Sequence, residues 1–162
     1  MNYFEMFGIP ITLKVNKASL SQKYIALQKQ FHPDYFANAS PEEKEATLEQ
    51  SSQINKAYKT FQSGDATIKY VLQLKGLIQE EEKFALPSDF LMEVMELNEL
   101  KMEGTPAAEI TAQAALLQQA IFEKVQPIIE NYTDDATSEK ELLEVKTYYY
   151  QKKYLDRLAN SI

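Results

Sequence analysis

Apolar residues recur along this chain at helical spacing, with few interruptions. Leu20, Tyr24, Leu27 and Phe31 form an i, i+4, i+7, i+11 stripe that predicts a helix over 17 to 31, capped by Asn16. Pro33 must stop it. Ser40-Pro41-Glu42-Glu43 is a start signal, with serine as N-cap, proline at the first helical position and glutamate at the third. The helix it opens should run to about Gln62, with Ser51, Ile54, Ala57, Tyr58 and Phe61 on an inner face packed antiparallel on the preceding helix. A short helical turn over residues 3 to 7 closes at Gly8, and a shorter helix from about Ala66 to Leu74 closes at Gly76.

The segment "GLIQEEEKFALP" is acidic, begins with glycine and ends with proline, and it predicts a domain boundary. Three helices follow: about 88 to 103 capped by Ser88, 106 to 132 capped by Thr105, and 139 to 160 opened by a capping box of Ser138 with Glu141. Pro127 lies inside the second of these, so a bend is expected near 123 to 127. On the last helix Val145, Tyr148, Leu155 and Ile162 make the inward seam, and Tyr154 falls just off it. The fold class is therefore all-α. An antiparallel hairpin with short flanking helices occupies 1–76, a linker 77–87, and a three-helix bundle 88–162.

The first bundle helix carries more apolar surface than a bundle needs. With Phe90 at zero and about 100° per residue, Leu97, Val94 and Leu100 fall within about 80° of it and make a sufficient buried face. Leu91, Met102 and Met95 land at about 100° to 140° and Met92 at about 200°, among Glu99, Glu103 and Glu96 at about 180° to 240°. Either a neighbouring helix covers this excess, or it is an exposed, adaptable stripe with an acidic rim that suits a protein partner.

Composition narrows the function. The 162-residue chain has no cysteine, which removes disulfides, thiolate nucleophiles and sulfur-ligated metals. A net charge of -7 argues against nucleic acid or an anionic membrane as partner. No signal-like or membrane-spanning run is visible, so the cytoplasm is the expected compartment. The charge is uneven, however. No acidic residue occurs between Glu5 and Asp34, whereas Lys14, Lys17, Lys23 and Lys29 do.

That cationic interval ends in "QKQFHPDYF", which holds the single histidine. Catalysis or metal binding would need a second histidine, a carboxylate cluster or a nucleophile converging on His32, and the sequence offers none. No cofactor and no enzymatic activity are expected, although a His32 and Asp34 acid-base pair is the reading that intrinsic turnover would revive. A plain helix-ending turn explains Pro33. It does not explain the basic helix leading into it.

The surroundings carry a resemblance. "NYFEMFGIP", a basic helix ending in "QFHPDYF", and a capped helix containing "SSQINKAYKTF" resemble the J-domain of DnaJ-type co-chaperones. The short helix "DATIKYVLQLKG" and the continuation "LPSDFLMEVMELNEL" are similar to the HscB family, the J-proteins of iron-sulfur cluster assembly. The resemblance implies an N-terminal J-domain whose His32, Pro33 and Asp34, with Lys23 and Lys29, engage a DnaK/HscA-type ATPase chaperone. It also implies that Leu91, Met92, Met95, Glu96, Glu99, Glu103 and Tyr154 bind an IscU-type scaffold protein. Tyr35 departs from the pattern, since relatives commonly place lysine there. A J-protein with a different client, and a helical adaptor in which the His-Pro-Asp triplet is accidental, are the alternatives.

Overall fold

The computed structural model describes residues 1–161; the seam position expected at Ile162 lies outside them. Among the described residues the chain forms α-helices, one 3-10 turn and no strand, which makes the fold all-α. The helices are α1 (Tyr3–Phe7), α2 (Lys17–Phe31), α3 (Pro41–Gln62), α4 (Gly64–Leu74), α5 (Ser88–Met102), α6 (Ala107–Asn131) and α7 (Glu139–Asn160), with the 3-10 turn at Pro33–Phe36. They divide into two compact units, Met1–Val71 and Leu72–Ile162.

In the first unit α2 and α3 form the expected antiparallel hairpin. Asn16 and Ser40 cap them, each accepting a backbone N–H three residues on. Leu20, Ile54, Ala57 and Phe61 are buried between them, whereas Tyr24, Leu27 and Phe31 are only half-buried. An aromatic cluster closes the open end: Phe4 lies 4.8 Å and Phe7 5.6 Å from Phe61, centroid to centroid, and Tyr3 stacks on Tyr70 at 4.5 Å. The Tyr3 N–H donates to the Tyr70 hydroxyl, which ties the N-terminal turn to α4. Lys17 donates its ammonium to the carbonyls of Phe61 and Gln62, where a cation favours the negative end of α3.

In the second unit α5, α6 and α7 run up, down and up. The ring of Phe90 meets Tyr154 edge-on at 6.4 Å and Lys101 reaches the carbonyl of Ser161, so α5 and α7 are parallel. Phe90, Val94, Leu97, Ile110, Ile121, Val125, Val145, Tyr148 and Leu155 fill the centre. α7 opens with both halves of its capping box, Ser138 and Glu141 each accepting the other's N–H at 3.1 Å. α6 continues unbroken through Pro127, which sits on its exposed side.

Two expected caps are not used. α5 starts after Pro87 and α6 after Pro106, each proline taking the extended flanking position, and neither Ser88 nor Thr105 makes a side-chain cap. Thr105 serves the preceding helix instead. Gly104 turns at φ +85° and lets the Thr105 N–H reach the Leu100 carbonyl, the closing bond of a Schellman motif. Gly76, at φ +69°, lets Leu77 close α4 on Leu72 in the same way.

The stretch expected to be a linker, 77–87, is a packed strap of the second unit, and the division falls earlier, inside α4. Ile78 is buried. Glu82 accepts from Lys146 at 3.0 Å and from the Tyr150 hydroxyl at 3.2 Å, while Phe84 stacks on Tyr150 at 4.6 Å. Burial first, and then the Glu82 carboxylate, push the Tyr150 hydroxyl up to about 12. Upstream, Lys75 pairs with Asp134, which also accepts from the Tyr132 hydroxyl at 2.8 Å. Within the acidic run Glu82 is thus paired with residues distant in sequence, which periodicity does not report.

The hydrogen bond from Lys75, then that from Tyr132, hold the Asp134 carboxyl below its ordinary value. A depressed folded value contributes stability above the unfolded carboxylate range and loses it as pH falls through the folded value. Asp134→Asn should therefore lower the melting temperature at neutral pH, and the deficit should vanish on acidification. Melting curves of both proteins across pH check this; a deficit that persists in acid contradicts it.

Candidate functional site

The His-Pro-Asp triplet sits in the connection between α2 and α3. Register along the hairpin is set by Asn55, whose side-chain oxygen accepts from the Tyr24 hydroxyl at 2.6 Å and the Gln28 amide at 2.8 Å. Tyr24 stacks on Tyr58 at 3.8 Å, one turn nearer the open end. α2 ends at His32 because Pro33 forces the residue before it into extended backbone, here φ -65° and ψ 131°. Pro33 then begins the 3-10 turn, and the Asp34 N–H donates to His32 Nδ1 at 3.2 Å. The Asp34 side chain is 87% exposed and that of His32 46%.

The two lysines expected beside this turn are not equivalent. Lys29 is exposed and lies about 60° around the α2 axis from His32, with exposed Ile25 between them. Lys23 is half-buried and about 120° from Lys29, so the structure does not bring both to one face. Ile25 was missed because it lies off the buried stripe; an apolar residue outside that stripe, on the face of Lys29, was the available signal. Tyr35 is exposed, its ring edge-on to His32 at 6.1 Å. The turn thus presents a carboxylate, an imidazole, one ammonium and two apolar side chains to solvent.

The second surface lies on α5. Phe90, Val94 and Leu97 are buried, and Leu91, Met92 and Met95 are exposed, the two methionines at 64% and 60%. Glu96, Glu99 and Glu103 are exposed among them, Glu103 being the C-cap. Met102, on the same arc, is the most exposed methionine of this helix at 87%. Tyr154, part-exposed, is joined to α5 through its edge contact with Phe90. The outward face is therefore a methionine stripe interleaved with carboxylates, with an aromatic at one end. It can bury adaptable apolar area and favour a basic partner.

Among the described residues no group of three or more His, Cys, Asp or Glu side chains could hold a metal ion, and no helix is long and apolar enough to cross a membrane.

The chain has relatives among known proteins. Residues 86–162 match a family described as the HSCB C-terminal oligomerisation domain. The chain is 35% identical to a co-chaperone protein HscB homolog of Vibrio cholerae, over all of this chain and 95% of that one. It is 31% identical to an Acinetobacter baumannii homolog, over 94% of this chain and 86% of that one. Among solved structures, the chaperone HscB from Vibrio cholerae superposes with a TM-score of 0.72 at 30% identity, over 99% and 94% of the two chains. The human co-chaperone HscB does so with a TM-score of 0.72 at 29% identity, over 99% and 82%.

Asn55 is the sole acceptor joining Tyr24 and Gln28 in the contacts described above, so removing it strands two donors at a solvent-accessible site. Asn55→Ala should cost about 1 kcal/mol of stability. Urea denaturation checks this: a lower midpoint with an unchanged slope is expected, and an unchanged midpoint contradicts the clamp.

Proposed function

Since the chain belongs to the HscB family of co-chaperones, we propose that it delivers an IscU-type iron-sulfur scaffold protein to a DnaK/HscA-type chaperone in the cytoplasm and stimulates that chaperone's ATPase. Pro33 and Asp34 with Lys29 form the chaperone-docking face, His32 belongs to the turn that presents it, and Lys23, half-buried on another side of α2, stands apart. Leu91, Met92, Met95, Glu96, Glu99, Glu103 and Tyr154 form the scaffold-docking face. The chain hydrolyses nothing itself. The observation that carries this reading is that each compact unit holds one exposed surface of the expected chemistry, a charged turn in the first and a methionine-carboxylate stripe in the second.

The division of labour follows from the chemistry of each surface. Solvated charges such as Asp34 and Lys29 contribute about 0 to 1 kcal/mol each, which suits a fast, weak and salt-sensitive encounter. Apolar side chains at the centre of a patch supply more, about 1 to 3 kcal/mol apiece on truncation. The turn therefore triggers and releases, whereas the stripe holds.

The test uses separable variants. Asp34→Asn should abolish stimulation of the chaperone ATPase while scaffold capture in a pull-down stays at the wild-type level. Leu91→Ala with Met95→Ala should weaken scaffold binding by roughly 10- to 100-fold, the loss of two hot spots. Equal stimulation by wild type and Asp34→Asn sinks the chaperone assignment, and undiminished scaffold binding by the double variant sinks the client assignment.

A further inference from the structure

The first donor of the 3-10 turn is unusual in its position. Pro33 occupies the first turn residue and has no N–H, so the Asp34 N–H is the first orphan donor of Pro33–Phe36. His32 satisfies it through Nδ1 at 3.2 Å. The backbone of His32 is extended, as it is at side-chain caps such as Asn2, Asn16, Ser40 and Ser138. The imidazole thus does at this turn what an asparagine or serine oxygen does elsewhere in the chain.

We propose that His32 is a positioning residue, holding Asp34 through Nδ1 rather than reading the chaperone itself. This rests on the co-chaperone reading above and adds which atom of the histidine matters. The main chain of Asp34 is fixed on both sides: its N–H goes to the His32 ring, and the Tyr35 N–H that follows it goes to the His32 carbonyl at 3.0 Å. Its carboxylate is left in solvent. The cap requires an Nδ1 that carries no proton, which leaves Nε2 as the ring's N–H. The same Nδ1 lies 3.5 Å from Asp34 Oδ2.

The geometry makes two substitutions opposite in meaning. Counting bonds from Cα, Nδ1 stands where the side-chain oxygen of asparagine stands, and Nε2 where that of glutamine stands. His32→Asn keeps an acceptor in the capping position, whereas His32→Gln moves it one bond too far. In the full-length chain, imidazole 15N shifts should show the Nε2–H form, and Asp34 amide exchange should be slow in wild type and His32→Asn and faster in His32→Gln. Stimulation of a DnaK-type ATPase should survive in His32→Asn and fall about tenfold in His32→Gln, the cost of a lost cap. Loss of stimulation in both, with the Asp34 amide still slow in the asparagine variant, overturns the proposal and makes the ring a direct contact. An Nδ1–H ring, or full activity in the glutamine variant, overturns it as well. A wild-type chain that fails to stimulate while its Asp34 amide is slow refutes the co-chaperone reading, and this role with it, but leaves the cap.

Discussion

The packing of α2 against α3 is the constraint on which the first unit depends. An isolated 15-residue helix as polar as α2 would be marginal in water. It is held by Leu20 in the core, by the Tyr24 and Tyr58 stack, by the Asn55 clamp and by the Lys17 ammonium on the end of α3. Most of these contacts lie along the shaft of the hairpin and not in the connecting turn. The turn can therefore be short, polar and exposed without costing the fold its stability, and that freedom leaves its side chains available to a partner.

The second unit solves the converse problem. Its core needs one face of α5, and the opposite arc is left to methionine and glutamate, which tolerate water and adapt to different surfaces. The bundle does not rely on that arc because the strap and α7 supply rigidity elsewhere, through Glu82 with Lys146 and Tyr150 and through Lys75 with Asp134. A face made of residues that the core does not use can be altered without unfolding the domain. In both units the face proposed for recognition is separate from the residues that give stability.

Much of this was legible in the sequence because helical periodicity and capping are local. Asn16, Ser40 and Ser138 marked three helix starts, and the wheel of α5 separated Phe90, Val94 and Leu97 from Leu91, Met92 and Met95. What was not legible depends on contacts distant in sequence or on competition for one residue. Thr105 read as a cap for α6 but is claimed by the end of α5. The segment 77–87 read as a linker because the partners of its Glu82, Lys146 and Tyr150, lie more than sixty residues away. Lys23 and Lys29 were named together beside the triplet, but only Lys29 shares the side of α2 that leads to His32.

The central claim is that one chain couples a bound scaffold to ATP hydrolysis by a chaperone. Single-turnover hydrolysis by a DnaK/HscA-type chaperone, measured with this chain alone, with an IscU-type scaffold alone and with both, tests it most directly. The account predicts that the two together accelerate hydrolysis beyond the product of their separate effects, and that Leu91→Ala with Met95→Ala removes only this excess. Purely independent effects, or an excess untouched by the double variant, would contradict it.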